Sequence, residues 1–226
     1  ISVAGVMPLR PPDAGHYIMD GNSTLNDWQG IIPFSHAPFI ANPKRKFVSS
    51  ANQAPTDRTY PYSLKGGRTF EDYRGRTLNM ILDTIDNVTV EDMKQIQQNN
   101  YNLHASEILP VLLNTLKNTN CLKEEEKIYA ATLEGWNYNQ HRDSISPVLF
   151  ELWFNEFEKM TFDELDSLEV MHPEKWRISE MIKDSGQNIF YDIVSSVDKQ
   201  ETFEDIACKS FSYMVKTFLA LDGEDR

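Results

Sequence analysis

Asn52 and Arg74 are the two side chains in this sequence best suited to act together on a carbonyl group. An amide held at the end of an extended run can donate hydrogen bonds to a developing oxyanion, and a guanidinium near it can orient carbonyls or carboxylates. Both lie within Asn42 to Arg76, NPKRKFVSSANQAPTDRTYPYSLKGGRTFEDYRGR, with Asn52 in a turn-rich segment and Arg74 at the head of the first long helix. Lys46 to Ser50 reads as a short strand ahead of the turn, and Arg76 is near enough to be the alternative arginine. Asn52 also fits a plain turn former, because Asn tolerates left-handed backbone and caps its own turn. Both roles stand at this level.

The elements that must position this pair divide near residue 62. Eight of the eleven prolines fall at or before Pro61, so residues 1–62 read as a strand- and loop-rich part and 63–226 as a helical part. The fold class expected is α+β, predominantly α-helical. Ile1 to Leu9 alternates apolar and small residues as a strand does, Asp20-Gly21-Asn22 reads as a tight turn, and WQGIIPF (Trp28 to Phe34) as an apolar anchor. Further on, Thr-Phe-acid-acid recurs at Thr69, Thr161 and Thr202, with Thr89-Val90-Glu91-Asp92 as a variant. Each is a helix-start device, in which the Thr oxygen takes an orphan N–H and the acids favour the positive end of the helix dipole. Their spacing is unequal, so they are not an internal repeat.

Core stripes follow from the helical period. Leu149, Leu152, Trp153, Phe157 and Met160 share a face that Phe150 and Phe154 widen; Phe203, Ala207, Phe211, Met214, Phe218 and Leu221 form another. Pro110, inside the apolar helical run Leu103 to Leu116, is expected to kink or restart that helix. Glu124 to Glu126 is expected on a solvated face.

Composition excludes several function classes. Acids outnumber bases 34 to 22, for a net charge of −12, and the one basic cluster, Lys44 to Lys46, is too short for phosphate tracking, so no nucleic-acid partner is expected. No apolar run approaches the roughly 18 residues of a membrane span. His16, His36, His104, His141 and His172 lack ligand spacing, so no metal site is read. Cys121 and Cys208 are expected as two ordinary thiols, with one disulfide as the alternative. The opening ISVAGVMPL lacks the charged start of a signal peptide, and Ile1 in place of Met marks a processed end or an excised piece.

The order WQGIIPF, NPKRKFVSSANQ, TYPY, YRGRTLNMIL, TVEDMKQIQQNN and ASEILPVLLNTL resembles the penicillin acylase (penicillin amidase) family. The likeness runs on with decreasing strength into LEGWNYNQHRDSISPVLFELWF and covers about residues 1 to 157. It implies a fragment of the large chain of an N-terminal-nucleophile hydrolase, in which a Ser at a cleaved N-terminus attacks an amide and its own α-amino group serves as base. An α-amino pKa of about 8 makes that base usable at neutral pH. The resemblance assigns Asn52 to the oxyanion hole and Arg74 to orienting the nucleophile and the hole.

It also implies a small N-acyl amide substrate, a periplasmic or otherwise exported enzyme, and partners in the rest of the same precursor. Residue 1 is Ile, so the nucleophile is expected upstream and this piece alone is expected to be inactive. Gln53 stands where the family has a second Asn. Some members bind structural calcium, but Tyr60 to Lys65 lacks the aspartate expected of a ligand, so no cofactor is expected. The alternative function is a non-catalytic helical interaction module that kept the scaffold.

Overall fold

The computed structural model describes residues 5–11, 14, 18–57, 59–62, 72–196 and 198–224. The chain forms two compact units, 1–96 and 97–226.

In the first unit, β1 (Pro8–Leu9) pairs antiparallel with β2 (Gly30–Ile31), and the ladder extends through Ile32 N–H to the Met7 carbonyl at 2.8 Å. The strand expected over Ile1 to Leu9 is thus only Pro8–Leu9 within the described residues; residues 1–4 lie outside them. The Asp20 turn forms as expected, with its carboxylate accepting the Asn22 N–H at 2.9 Å. WQGIIPF is not an apolar anchor within this unit. Ile32 alone is buried, whereas Trp28 and Phe34, which even spacing would place on its face of a longer strand, are 67% and 84% exposed, because β2 is only Gly30–Ile31 and ends before it reaches either.

Lys46 to Ser50 is not a strand either. Lys46 takes a left-handed φ of 62°, which breaks the extended run, and Arg45 and Ser49 on either side bond to Asn79 of α1 (Tyr73–Leu82). After α1 comes α2 (Val90–Gln97), which starts as expected: the Asp92 N–H donates to the Thr89 hydroxyl at 3.2 Å and the Asp92 carboxylate accepts the Thr89 N–H at 2.8 Å. The device at Thr69 lies outside the described residues, apart from Asp72.

The second unit is a helical assembly of α3 (Leu103–Thr119), α4 (Lys127–Glu134), α5 (Ser146–Thr161), α6 (Asp163–Ser167), α7 (Lys175–Asp184) and α8 (Phe203–Glu224). Its centre is α5 against α8, with α3 packed on α7 and α8. The two stripes read from the sequence meet here: Leu149, Phe150, Trp153, Phe154 and Phe157 are fully buried, as are Ala207, Phe211 and Met214. The Trp153 indole donates to Ser210 Oγ at 3.0 Å and stands edge-on to Phe211, so its polar edge is satisfied inside the core. Leu221, at the end of the second stripe, is exposed.

Three expectations for this unit are corrected, and of the two outcomes expected at Pro110 a restart is ruled out, since α3 runs through it with Leu109 and Leu112 buried on either side. Thr161 is no cap, because α5 continues to it and its hydroxyl donates to the Phe157 carbonyl at 2.7 Å. Glu126 leaves the solvated face; it is buried and accepts the Lys123 N–H at 2.9 Å. Cys121 and Cys208 are joined in a disulfide that ties the segment after α3 to α8, with Cα atoms 6.2 Å apart. Thr202 does cap α8, accepting the Asp205 N–H while Asp205 accepts its own at 3.1 Å.

His104 on α3 is buried edge-on to Phe150 and Phe154. Burial, helped by Lys175 and Lys183 against the opposing pull of Glu107, lowers its pKa to about 4. Above pH 6.5 the imidazole is neutral whether folded or unfolded. Below that, the unfolded chain takes up a proton that the folded protein refuses until about pH 4, so stability falls across this window. The wild type is expected to lose roughly 3 kcal/mol more than His104→Gln between pH 7.5 and 4. Urea unfolding at several pH values checks this, and parallel curves for the two proteins would refute it.

Candidate functional site

The local backbone fixes the direction of the Asn52 side chain. Asn52 has φ 64°, a left-handed conformation that Asn accepts more readily than most residues, at the tip of the turn that follows Ser49. Arg74, in the first turn of α1, donates from Nη2 to Asn52 Oδ1 at 2.6 Å. A guanidinium has no acceptor, so the amide must turn its oxygen toward Arg74 and present its NH2 group elsewhere. The positive charge on the oxygen side also polarises the amide, which strengthens the NH2 group as a donor. This arrangement is chemically an oriented, cation-backed hydrogen-bond donor on an exposed surface of the unit.

Arg76 takes a different course. Two residues along a helix is about 200° of rotation, so with Arg74 turned to the loop Arg76 points to the far side. There it pairs with Asp72 at 3.7 Å and lies over the Tyr73 ring. Arg74 is therefore the arginine that the fold brings to Asn52.

Gln53, which the sequence reading noted only as a departure from the family pattern, and Gly75 and Asn79, which it passed over, complete the surroundings. Gln53 folds back over its own turn: Oε1 accepts the Ala51 N–H at 2.5 Å and Nε2 donates to the Ser49 carbonyl at 3.2 Å. Gly75 is buried beneath it; a Cβ there would sit 3.1 Å from Gln53 Oε1. Asn79, one helical turn on, accepts from Ser49 Oγ at 2.5 Å and from Arg45 Nη1 at 3.4 Å. A glycine inside a helix immediately after Arg74 was the available signal, since such a glycine commonly marks close approach. Among the described residues, no group of three or more His, Cys, Asp or Glu side chains is disposed to hold a metal ion. Residues 63–65 of the stretch weighed for calcium lie outside the described residues.

A family model for penicillin amidase matches residues 1–225. The chain belongs to the penicillin amidase family. It is thus a member of an acylase-type hydrolase family, and the match spans both compact units. The described part of this family member is mostly helical, with eight α-helices and two short strands.

Proposed function

We propose that the protein of which these residues are part hydrolyses a small N-acyl amide through an acyl-enzyme, and that Asn52 donates to the oxyanion. The observation that carries this reading is the Arg74 to Asn52 bond, which leaves the amide NH2 group as the outward donor. No residue here matches the family's N-terminal nucleophile, so we assign that group, and the cover that excludes water, to the rest of the precursor. The nucleophile's oxygen attacks the amide carbonyl while its α-amino group takes the proton. The carbonyl oxygen becomes an oxyanion, and the Asn52 NH2 group meets it with a bond stronger than the one it makes to the neutral carbonyl. Collapse expels the amine, which takes the proton back from the α-ammonium group, and water then releases the acid by the same two steps.

Arg74 acts by aiming Asn52, with the fork geometry that a lysine lacks. Arg74→Lys in the mature enzyme is expected to lower kcat about tenfold with KM little changed, because an ammonium holds the amide less rigidly. A panel of N-acyl p-nitroanilides of differing acyl chains serves for the assay, and an unchanged kcat would sink the aiming role. A mature protein inactive on every member would favour the non-catalytic module instead.

We further propose an exported, periplasmic-type location. The Cys121 to Cys208 disulfide supports it, because such bonds persist in oxidising compartments. Among the described residues, no helix is long and apolar enough to cross a membrane.

A further inference from the structure

The geometry points to Gln53 as a positioning residue that, seated on Gly75, holds Asn52 in its donor orientation; the inference rests on the oxyanion role proposed for Asn52. The Gln53 amide closes a clamp across the turn, taking the Ala51 N–H on one side and giving to the Ser49 carbonyl on the other. The backbone it clamps is the one that carries Asn52 at φ 64°. Its far side rests on α1, where Gly75 leaves room for the Gln53 carboxamide and Asn79 holds Ser49 from one turn further on. Turn and helix are thereby locked at two points, Gly75 with Gln53 and Asn79 with Ser49, while the adjacent Arg74 holds the Asn52 amide itself. A shorter amide at position 53 would span the clamp less well, which gives the length of the Gln side chain a physical use.

The test compares kcat and KM of the mature enzyme and its Gln53→Leu, Gly75→Ala, Asn52→Ala and Asn52→Ala/Gln53→Leu variants on an N-acyl p-nitroanilide that the wild type cleaves. Gln53→Leu is expected to lower kcat about tenfold to thirtyfold, with KM within about twofold, because a small misplacement of a catalytic group costs rate rather than binding. Gly75→Ala approaches the clamp from the other side. It is expected to lower kcat severalfold, because the new Cβ pushes Gln53 Oε1 by a few tenths of an ångström, while the melting temperature moves little, the helix-forming gain of Ala offsetting that crowding; a large loss of stability in step with kcat would point to mere packing and overturn the inference. In the Asn52→Ala background, Gln53→Leu is expected to cost no more than about a further twofold, as for residues acting through one group. An unchanged kcat for Gln53→Leu, or a loss that persists in full without Asn52, overturns the positioning role and leaves the Asn52 reading intact. An unchanged kcat for Asn52→Ala removes that reading and this inference with it. Where no p-nitroanilide is cleaved, the crystal structure of Gln53→Leu decides: Asn52 parted from Arg74 supports the clamp, and an unmoved pair refutes it.

Discussion

Asn52→Ala in the mature enzyme is expected to lower kcat by about 10² to 10³, the cost of losing one preorganised oxyanion donor. The loss falls on kcat because the bond strengthens as charge develops on the oxygen, so substrate binding is largely spared. Folding is largely spared too, since Asn52 is exposed and bonds to an exposed Arg74. Asn52→Asp sharpens the result. A carboxylate still accepts from Arg74 and keeps the shape of the side chain, but it has no N–H to give and places a negative charge beside the oxyanion. It is expected to be at least as inactive as Asn52→Ala, and a kcat retained by Asp would show that the oxygen side, and not the donor, was what mattered.

Removing the disulfide is expected to cost the protein about 4 kcal/mol. Cys121 and Cys208 are 87 residues apart, and closing a loop of that length removes much of the unfolded chain's entropy. The closed loop holds α4, α5, α6 and α7 and the start of α8, and with them the larger part of the core of the helical unit, while α3 lies outside it. Cys121→Ser/Cys208→Ser and dithiothreitol-treated wild type should unfold at the same, lower urea concentration. Thiol titration checks that the bond was reduced; a midpoint unmoved after full reduction would contradict the expectation.

How far the sequence could be read depended on whether a feature was local. The α5 and α8 stripes were legible because burial follows the helical period, and Trp153 and Phe211 duly meet at 4.8 Å in the core. Thr89 and Thr202 cap because both partners of the box lie within four residues. The same letters at Thr161 fail as a cap because α5 runs up to Thr161 and holds its hydroxyl on the Phe157 carbonyl inside the core; the acids do open a helix, α6, but it starts at Asp163 behind Phe162. Tertiary packing overrides the local signal there.

Distance in sequence hid the rest. Nothing around Lys46 shows that Asn79 will draw Arg45 and Ser49 into a loop, and nothing near Cys121 shows that α8 returns beside it. At the site, Asn52 and Arg74 were legible from residue type and motif order, and the fold brings them into contact. Gln53 and Gly75 were not, because their part depends on a helix and a turn meeting at close range, which neither segment encodes alone.

The most direct measurement is a crystal structure of the mature enzyme carrying a tetrahedral adduct on its nucleophile, formed with a sulfonyl fluoride or a boronic acid. The adduct oxygen that stands for the oxyanion is expected at about 2.7–3.1 Å from Asn52 Nδ2, with Arg74 still on Oδ1. An adduct whose oxygen is held by other donors, with the Asn52 amide turned to solvent, would contradict the account.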